Sequence, residues 1–177
     1  MDLLARREHS VKELWEKLDL RFQKLIQKRS RKRSQELALE EAKRSDDSHY
    51  SEGASSQAEI SSSDLKDLIY SEVSRLTAEG LQSDARLAEA YIRYRSNRGH
   101  GPLKISAELR NKGVLVSLIG EALNESGIDW GINVREVTIK KYGEGALVEP
   151  LDRQFRAKRN RFLIQRGFSY EHIAILE

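Results

Sequence analysis

Three tandem three-helix repeats forming an elongated, curved array make up the all-α fold that this sequence predicts. Three internal matches carry the prediction. Leu76, Gly80, Leu81, Ala90, Ile92 and Arg93 meet Leu123, Gly127, Ile128, Val137, Ile139 and Lys140 at one constant shift. Beyond a loop expansion between Tyr142 and Phe155, Leu109, Lys112, Gly113, Val114 and Ile119 meet Leu163, Arg166, Gly167, Phe168 and Ile173 at a second shift. Upstream, Arg7, His9, Leu14 and Leu18 match Arg98, His100, Ile105 and Leu109. A unit this short cannot bury its own apolar face, so copies stack on neighbours and share a core.

The first repeat, residues 1–80, is the altered copy. Its first helix is reduced to a remnant, Asp2 to Arg7. Ser10 then caps a second helix whose face holds Val11, Leu14 and Leu18 and extends toward Phe22 and Leu25, with Trp15 flanking it. The third helix runs from Ser63 through Leu65, Leu68, Ile69, Val73 and Leu76 to Gly80. Between them lies a polar insertion, about 28–62, that is expected to be disordered. It opens with the basic run Lys28 to Arg33, and Ser45 to Ser62 is rich in serine and poor in apolar groups, so its burial cannot offset its ordering entropy. Within it, Gln35 to Arg44 has the acid and base spacings of a solvated helical extension.

The second repeat, 81–130, is the clearest. Ser83 or Asp84 caps a helix that carries Ala88, Tyr91, Ile92 and Arg95 on one stripe. Gly99, His100 and Gly101 break it, and Pro102 opens the next helix at a position where no amide donor is missed. That helix buries Ile105 and Leu109 and stops at Gly113, and a third presents Val116, Ile119 and Leu123 before Gly127. The third repeat, 131–177, begins near Gly131 and runs through Val134, Val137 and Ile139 to Tyr142. A turn follows with Gly143 and Gly145, then a very basic helix from Asp152 to Arg166, then a short one capped by Ser169 with Ile173 and Leu176. The expected core is Leu14, Leu18, Ile69, Leu76, Ala88, Ile92, Ile105, Leu109, Ile119, Leu123, Ile139, Leu163 and Ile173.

With 177 residues, 38% of them hydrophobic, the chain suits one short array with a modest core. No apolar run approaches the roughly 20 residues of a membrane span, and no secretory segment follows Met1. The absence of cysteine fits a reducing cytoplasm and leaves no thiolate nucleophile. His9, His49, His100 and His172 stand singly, outside metal-ligand spacing, and no nucleophile with a neighbouring base stands out. A non-enzyme without metal or cofactor is therefore expected. His9 and His100 occupy equivalent loops and read as local hydrogen-bonding groups. Tyr91, Tyr94 and Phe162 sit at helical spacing and read as core rather than as a base-stacking platform.

The basic residues are the candidates for binding a partner. Arg93, Arg95, Arg98, Lys104, Arg110 and Lys112 crowd the second repeat, and Arg153, Arg156, Lys158, Arg159, Arg161 and Arg166 the third. Lys112 and Arg166 recur just before the stopping glycines, while Glu72, Glu79, Glu121 and Glu125 gather in the third helices. The formal net charge is only +3, so this segregation of sign says more than the sum: it points to a basic surface for phosphates or an acidic protein.

Several blocks together resemble the RecX family of recombinase regulators. They are Arg6-Arg7-Glu8-His9-Ser10 with Glu13-Leu14 and Lys17-Leu18, and Leu81 to Arg86 leading to Ala90. Gly101 to Ile105 with Glu108 to Gly113, and Arg161 to Ser169, complete the set. The resemblance covers nearly the whole chain outside Gln27 to Ser62. It implies three tandem three-helix repeats that bind the RecA filament on single-stranded DNA; single-stranded or double-stranded DNA itself is a further candidate partner, and of the oligomeric states, which the residues leave open, a monomer is favoured. It also implies restraint of RecA's ATPase, strand exchange and coprotease activities, hence a role in DNA repair, recombination and the SOS response. A direct, sequence-indifferent nucleic-acid-binding module is the alternative that the charge alone supports.

Overall fold

The computed structural model describes residues 7–44, 62–148 and 152–176. Among these residues every regular element is helical. They are α1 (Val11–Arg44), α2 (Ser62–Ala78), α3 (Asp84–Asn97), α4 (Pro102–Asn111), α5 (Val116–Glu125) and α6 (Trp130–Tyr142), then a 3-10 turn (Glu144–Leu147), α7 (Arg153–Arg166) and α8 (Tyr170–Ala174). No helix among the described residues is long and apolar enough to cross a membrane. The chain divides into two compact units, one of Met1–Lys12 with Gly80–Glu177 and one of Glu13–Glu79.

Helix α1 corrects one expectation. It continues without a break through Lys28 to Arg44, so the helical extension expected over Gln35 to Arg44 is present, and the basic run from about residue 28, expected to belong to the disordered insertion, is helical as well. The reason is local. No glycine or proline interrupts it, its residues are largely Leu, Lys, Arg, Gln, Glu and Ala, and Lys32 meets Glu36 one turn on at 3.6 Å. The remnant expected from Asp2 to Arg7 and the disordered stretch expected from Ser45 to Ser62 lie, apart from Arg7 and Ser62, outside the described residues. In the unit Glu13–Glu79 the buried apolar residues are Leu14, Leu65, Ile69 and Val73. Leu65, Ile69 and Val73 follow one another at i,i+4 along α2. Leu68 lies off that line and is 55% exposed, against its expected place on the stripe.

The other unit holds two three-helix groups, α3 to α5 and α6 to α8. Ser83 caps α3, its hydroxyl accepting the Arg86 amide at 3.3 Å, and Pro102 starts α4 as expected. Asp129 caps α6, Asp152 caps α7, and Ser169 and His172 cap α8 reciprocally. Leu87, Ala88, Ile92, Ile105, Leu109, Val114, Ile119 and Ala122 form the first core. Val134, Leu163, Phe168, Ile173 and Leu176 form the second, and Trp130 packs against both. In α6 the buried line is Val134 and Thr138 at i,i+4. Ile139 falls one position past it and is 37% exposed, so its expected burial is corrected: the stripe is rotated relative to its counterpart in α3.

Adjacent repeats meet through one contact used twice. The Ser10 hydroxyl donates to the Lys112 carbonyl at 2.5 Å, and the Gly101 amide, which matches Ser10 in the repeat register, donates to the Arg166 carbonyl at 2.9 Å. The Leu103 amide adds a bond to the Gly167 carbonyl at 3.1 Å. In each case the loop entering one repeat's second helix sits on the left-handed glycine that ends the next repeat's second helix, Gly113 or Gly167, with φ of 86° and 91°.

Candidate functional site

A cleft of about 590 Å³ opens where the α3–α4 loop meets α6 and α7. Its cations are Arg98, Lys140, Lys141 and Arg166, set against the single carboxylate of Glu136. Each is placed by local structure. Gly99 turns the chain at φ 73° and packs against Val137, where a Cβ would lie 2.7 Å from the valine methyl. Asn133 holds the end of α3 by donating to the Ser96 carbonyl at 3.2 Å. Arg166 donates to the Arg98 carbonyl at 3.1 Å, and its guanidinium lies over the Phe162 ring at 5.2 Å. Lys141 approaches the same ring at 6.0 Å, and Arg98 stacks on Tyr94 at 4.8 Å. Long cationic side chains seated on aromatic faces are oriented in advance, so less freedom is lost when an anion arrives.

The predicted basic residues separate into three groups. Arg98 and Arg166 meet in the cleft. Arg93, Arg110, Arg153, Lys158 and Arg161 are exposed, the last three along the outer side of α7. The others are engaged within the fold. Arg95 donates to Glu108 through Nε at 2.7 Å and also through Nη2, and the Tyr91 hydroxyl donates to the same carboxylate at 3.0 Å. Lys112 lies over the Tyr91 ring at 5.4 Å, while the backbone and stem of Lys104 pack against Gly167. Arg156 is half-buried. Arg159 is fully buried and is corrected as a contact residue: it donates to the Ala146 carbonyl at 3.0 Å and to the Asn160 side chain at 3.1 Å, tying the 3-10 turn to α7. Tyr94, expected in the core, is 51% exposed beside the cleft.

Lys140 and Lys141 were missed as site residues. The signal was available, because Lys140 falls on Arg93 in the repeat register and both lysines occupy the last turn of a helix ended by Gly143. The recurrence of Lys112 and Arg166 has a second cause besides charge, since their carbonyls receive the preceding repeat.

The electrostatics of the α3–α4 junction carry a pH dependence. Burial lowers the His100 imidazole below its ordinary value, and the charges of Arg95, Lys104 and Arg166 lower it further against Glu108. For Glu108, burial pushes upward, but the hydrogen bonds from Arg95 and Tyr91 and the charge of Arg95 hold the carboxyl below its ordinary range. Both folded values are depressed, so each group contributes stability that is complete above its unfolded value and is lost as pH falls through the folded one. The thermal midpoint is expected to begin falling below about pH 6.5 and to fall again below about pH 4.3. His100→Gln should flatten the upper part of the profile and leave the lower part. A parent midpoint that is level between those values would contradict the assignment.

Comparisons with known proteins place these features. The model of the second three-helix domain of RecX matches residues 83–123, and that of the third matches residues 133–175. The chain is 36% identical to the "Regulatory protein RecX" of Pseudomonas putida over 176 residues, covering 99% of this chain and 85% of that protein. It is 44% identical to the protein of the same name from Pseudomonas entomophila over 110 residues, covering 62% and 69% of the two chains. The corresponding protein of Ectopseudomonas mendocina is 42% identical over 110 residues, covering 62% and 71%.

Proposed function

The chain belongs to the RecX family of regulatory proteins, and we propose on that footing that it binds the RecA filament on single-stranded DNA and restrains it. Its effects are on RecA's ATPase, strand exchange and coprotease activities, and through them on DNA repair, recombination and the SOS response in the cytoplasm. It acts by binding and not as an enzyme. We read residues 1–80, 81–130 and 131–177 as its three repeats.

The observation that supports this reading is the cleft. A junction between repeats lined by four cations and one carboxylate, with further cations along the outside of α7, suits an acidic surface presented by successive protomers. Charges at such a rim act mainly on the association rate. The experiment is RecA's single-stranded-DNA-dependent ATPase measured with the parent and with Lys140→Glu/Lys141→Glu. The parent should inhibit at small molar ratio to RecA. The variant, whose lysines are exposed, should keep the parent's midpoint and inhibit about tenfold less well. Inhibition that disappears when single-stranded DNA is in excess would mean competition for DNA, the alternative reading. No effect on RecA under either condition would overturn the proposal.

A further inference from the structure

We propose that the basic middle of α1 binds the phosphate backbone of duplex DNA without regard to sequence, through residues other than those that line the cleft. Between Arg21 and Arg33 the helix carries Arg21, Lys24, Lys28, Arg29, Arg31, Lys32 and Arg33 and no carboxylate. Every residue from Gln23 to Leu39 is exposed. Because this stretch is helical, the directions of its charges are fixed. With 3.6 residues per turn, Arg21, Lys24, Lys28, Arg31 and Lys32 share a stripe about 100° wide, and Arg29 and Arg33 extend the positive arc more than halfway round. At about 1.5 Å per residue the stripe is about 16 Å long, while duplex DNA presents a charge every 1.7 Å or so of its axis.

Three features favour this occupant. The exposed large apolar residues of α1, Val11, Leu20, Leu25, Ile26, Leu37 and Leu39, are spread around the axis instead of gathered on one side. A helix that lies on a membrane or docks in a protein groove needs that gathered apolar face. The contact between Lys32 and Glu36 at 3.6 Å is solvent-exposed, so it holds that lysine only weakly. Finally, a positive arc this wide meets phosphates on both sides of a groove, as basic helices do in duplex DNA, whereas a single strand offers one line of charge.

The inference stands on α1 alone and is tested without RecA. Binding of the full chain to a short fluorescent duplex is measured over a salt series, for the parent and for Arg21→Gln/Lys24→Gln/Lys28→Gln/Arg31→Gln/Lys32→Gln. Glutamine keeps helix propensity, and circular dichroism checks that the helix remains. The variant should bind at least about tenfold more weakly at low salt, and its log-log salt slope should be shallower by about four, near 0.9 for each phosphate left unneutralised. Should the fivefold variant lose helical signal, Lys24→Gln/Lys28→Gln decides, with a slope shallower by about two. Equal affinity and slope for parent and variant would overturn the proposal. So would binding to a single strand, to polyglutamate or to anionic vesicles as tight as binding to the duplex.

Discussion

Gly101→Ala should melt about 10 °C below the parent, although Gly101 has an ordinary φ of −81° that alanine adopts freely. The effect comes from the neighbouring repeat. A Cβ at Gly101 would lie 2.4 Å from the Gly167 carbonyl oxygen, 2.5 Å from its carbon and 2.6 Å from the Phe168 amide nitrogen, all of them backbone. Nothing there rotates away, so the loop lifts. The bonds from the Gly101 amide to Arg166 and from the Leu103 amide to Gly167 then weaken together. Overpacking and the two weakened bonds sum to about 3 to 5 kcal/mol. Two controls isolate the contact. Gly120 lies within α5 with nothing within 4 Å of its would-be Cβ, so Gly120→Ala should raise stability by about 0.5 to 1 kcal/mol. Gly127 has φ 63° and equally open space, so Gly127→Ala should cost only the left-handed backbone, about 1 to 2 kcal/mol. If all three substitutions behave alike, the repeats do not meet as described.

Arg159 and Arg161 stand two residues apart in the same basic helix, and their substitutions should differ in kind. Arg159→Ala should destabilise by about 3 to 5 kcal/mol, because it leaves a void and strips the buried Ala146 carbonyl of its donor. Arg159→Glu should do at least as much harm by placing a carboxylate against that carbonyl. Arg161→Glu, on the exposed side, should stay within about 0.5 kcal/mol of the parent in stability and weaken RecA binding instead. Urea unfolding of the three variants checks this. A stable Arg159→Ala would show that the 3-10 turn is held by something else.

Much of the fold was legible because its boundaries rest on residues with one strong local preference. Pro102 at a helix start, Ser83 and Ser169 as caps, and glycines at positive φ after α4, α5 and α7 each act through their own backbone. Side chains whose fate depends on a distant element were harder to read. Arg159 looked like one cation in a run, yet it lies four residues from both Phe155 and Leu163 on the inward line of α7, where its partner comes from the 3-10 turn. Ile139 looked like core because its register partner Ile92 is core, but a rotation of α6 by about one position gives that place to Thr138. In α1 the acid and base spacings of Gln35 to Arg44 predict the helical extension that is present, whereas the basic run Lys28 to Arg33 reads by composition as part of the disordered insertion although its residues are good helix formers. At the candidate site, Arg98 and Arg166 were readable from charge and repeat phase. Lys140 is readable in the same way, from its register with Arg93, and the packing of α6 against the α3–α4 loop brings both Lys140 and Lys141 beside them.

Under the proposed function this protein acts on the RecA filament through basic surface at the junction of its second and third repeats. The most direct test of this action is the binding of the purified chain to RecA filaments assembled on single-stranded DNA, with RecA alone and DNA alone as companions. The parent should sediment with the filament at salt concentrations that release it from DNA alone, and Lys140→Glu/Lys141→Glu should remain in the supernatant while unfolding at the parent's midpoint. Equal recovery of parent and variant with the filament, or recovery of the parent only to the extent that DNA alone retains it, would contradict the account.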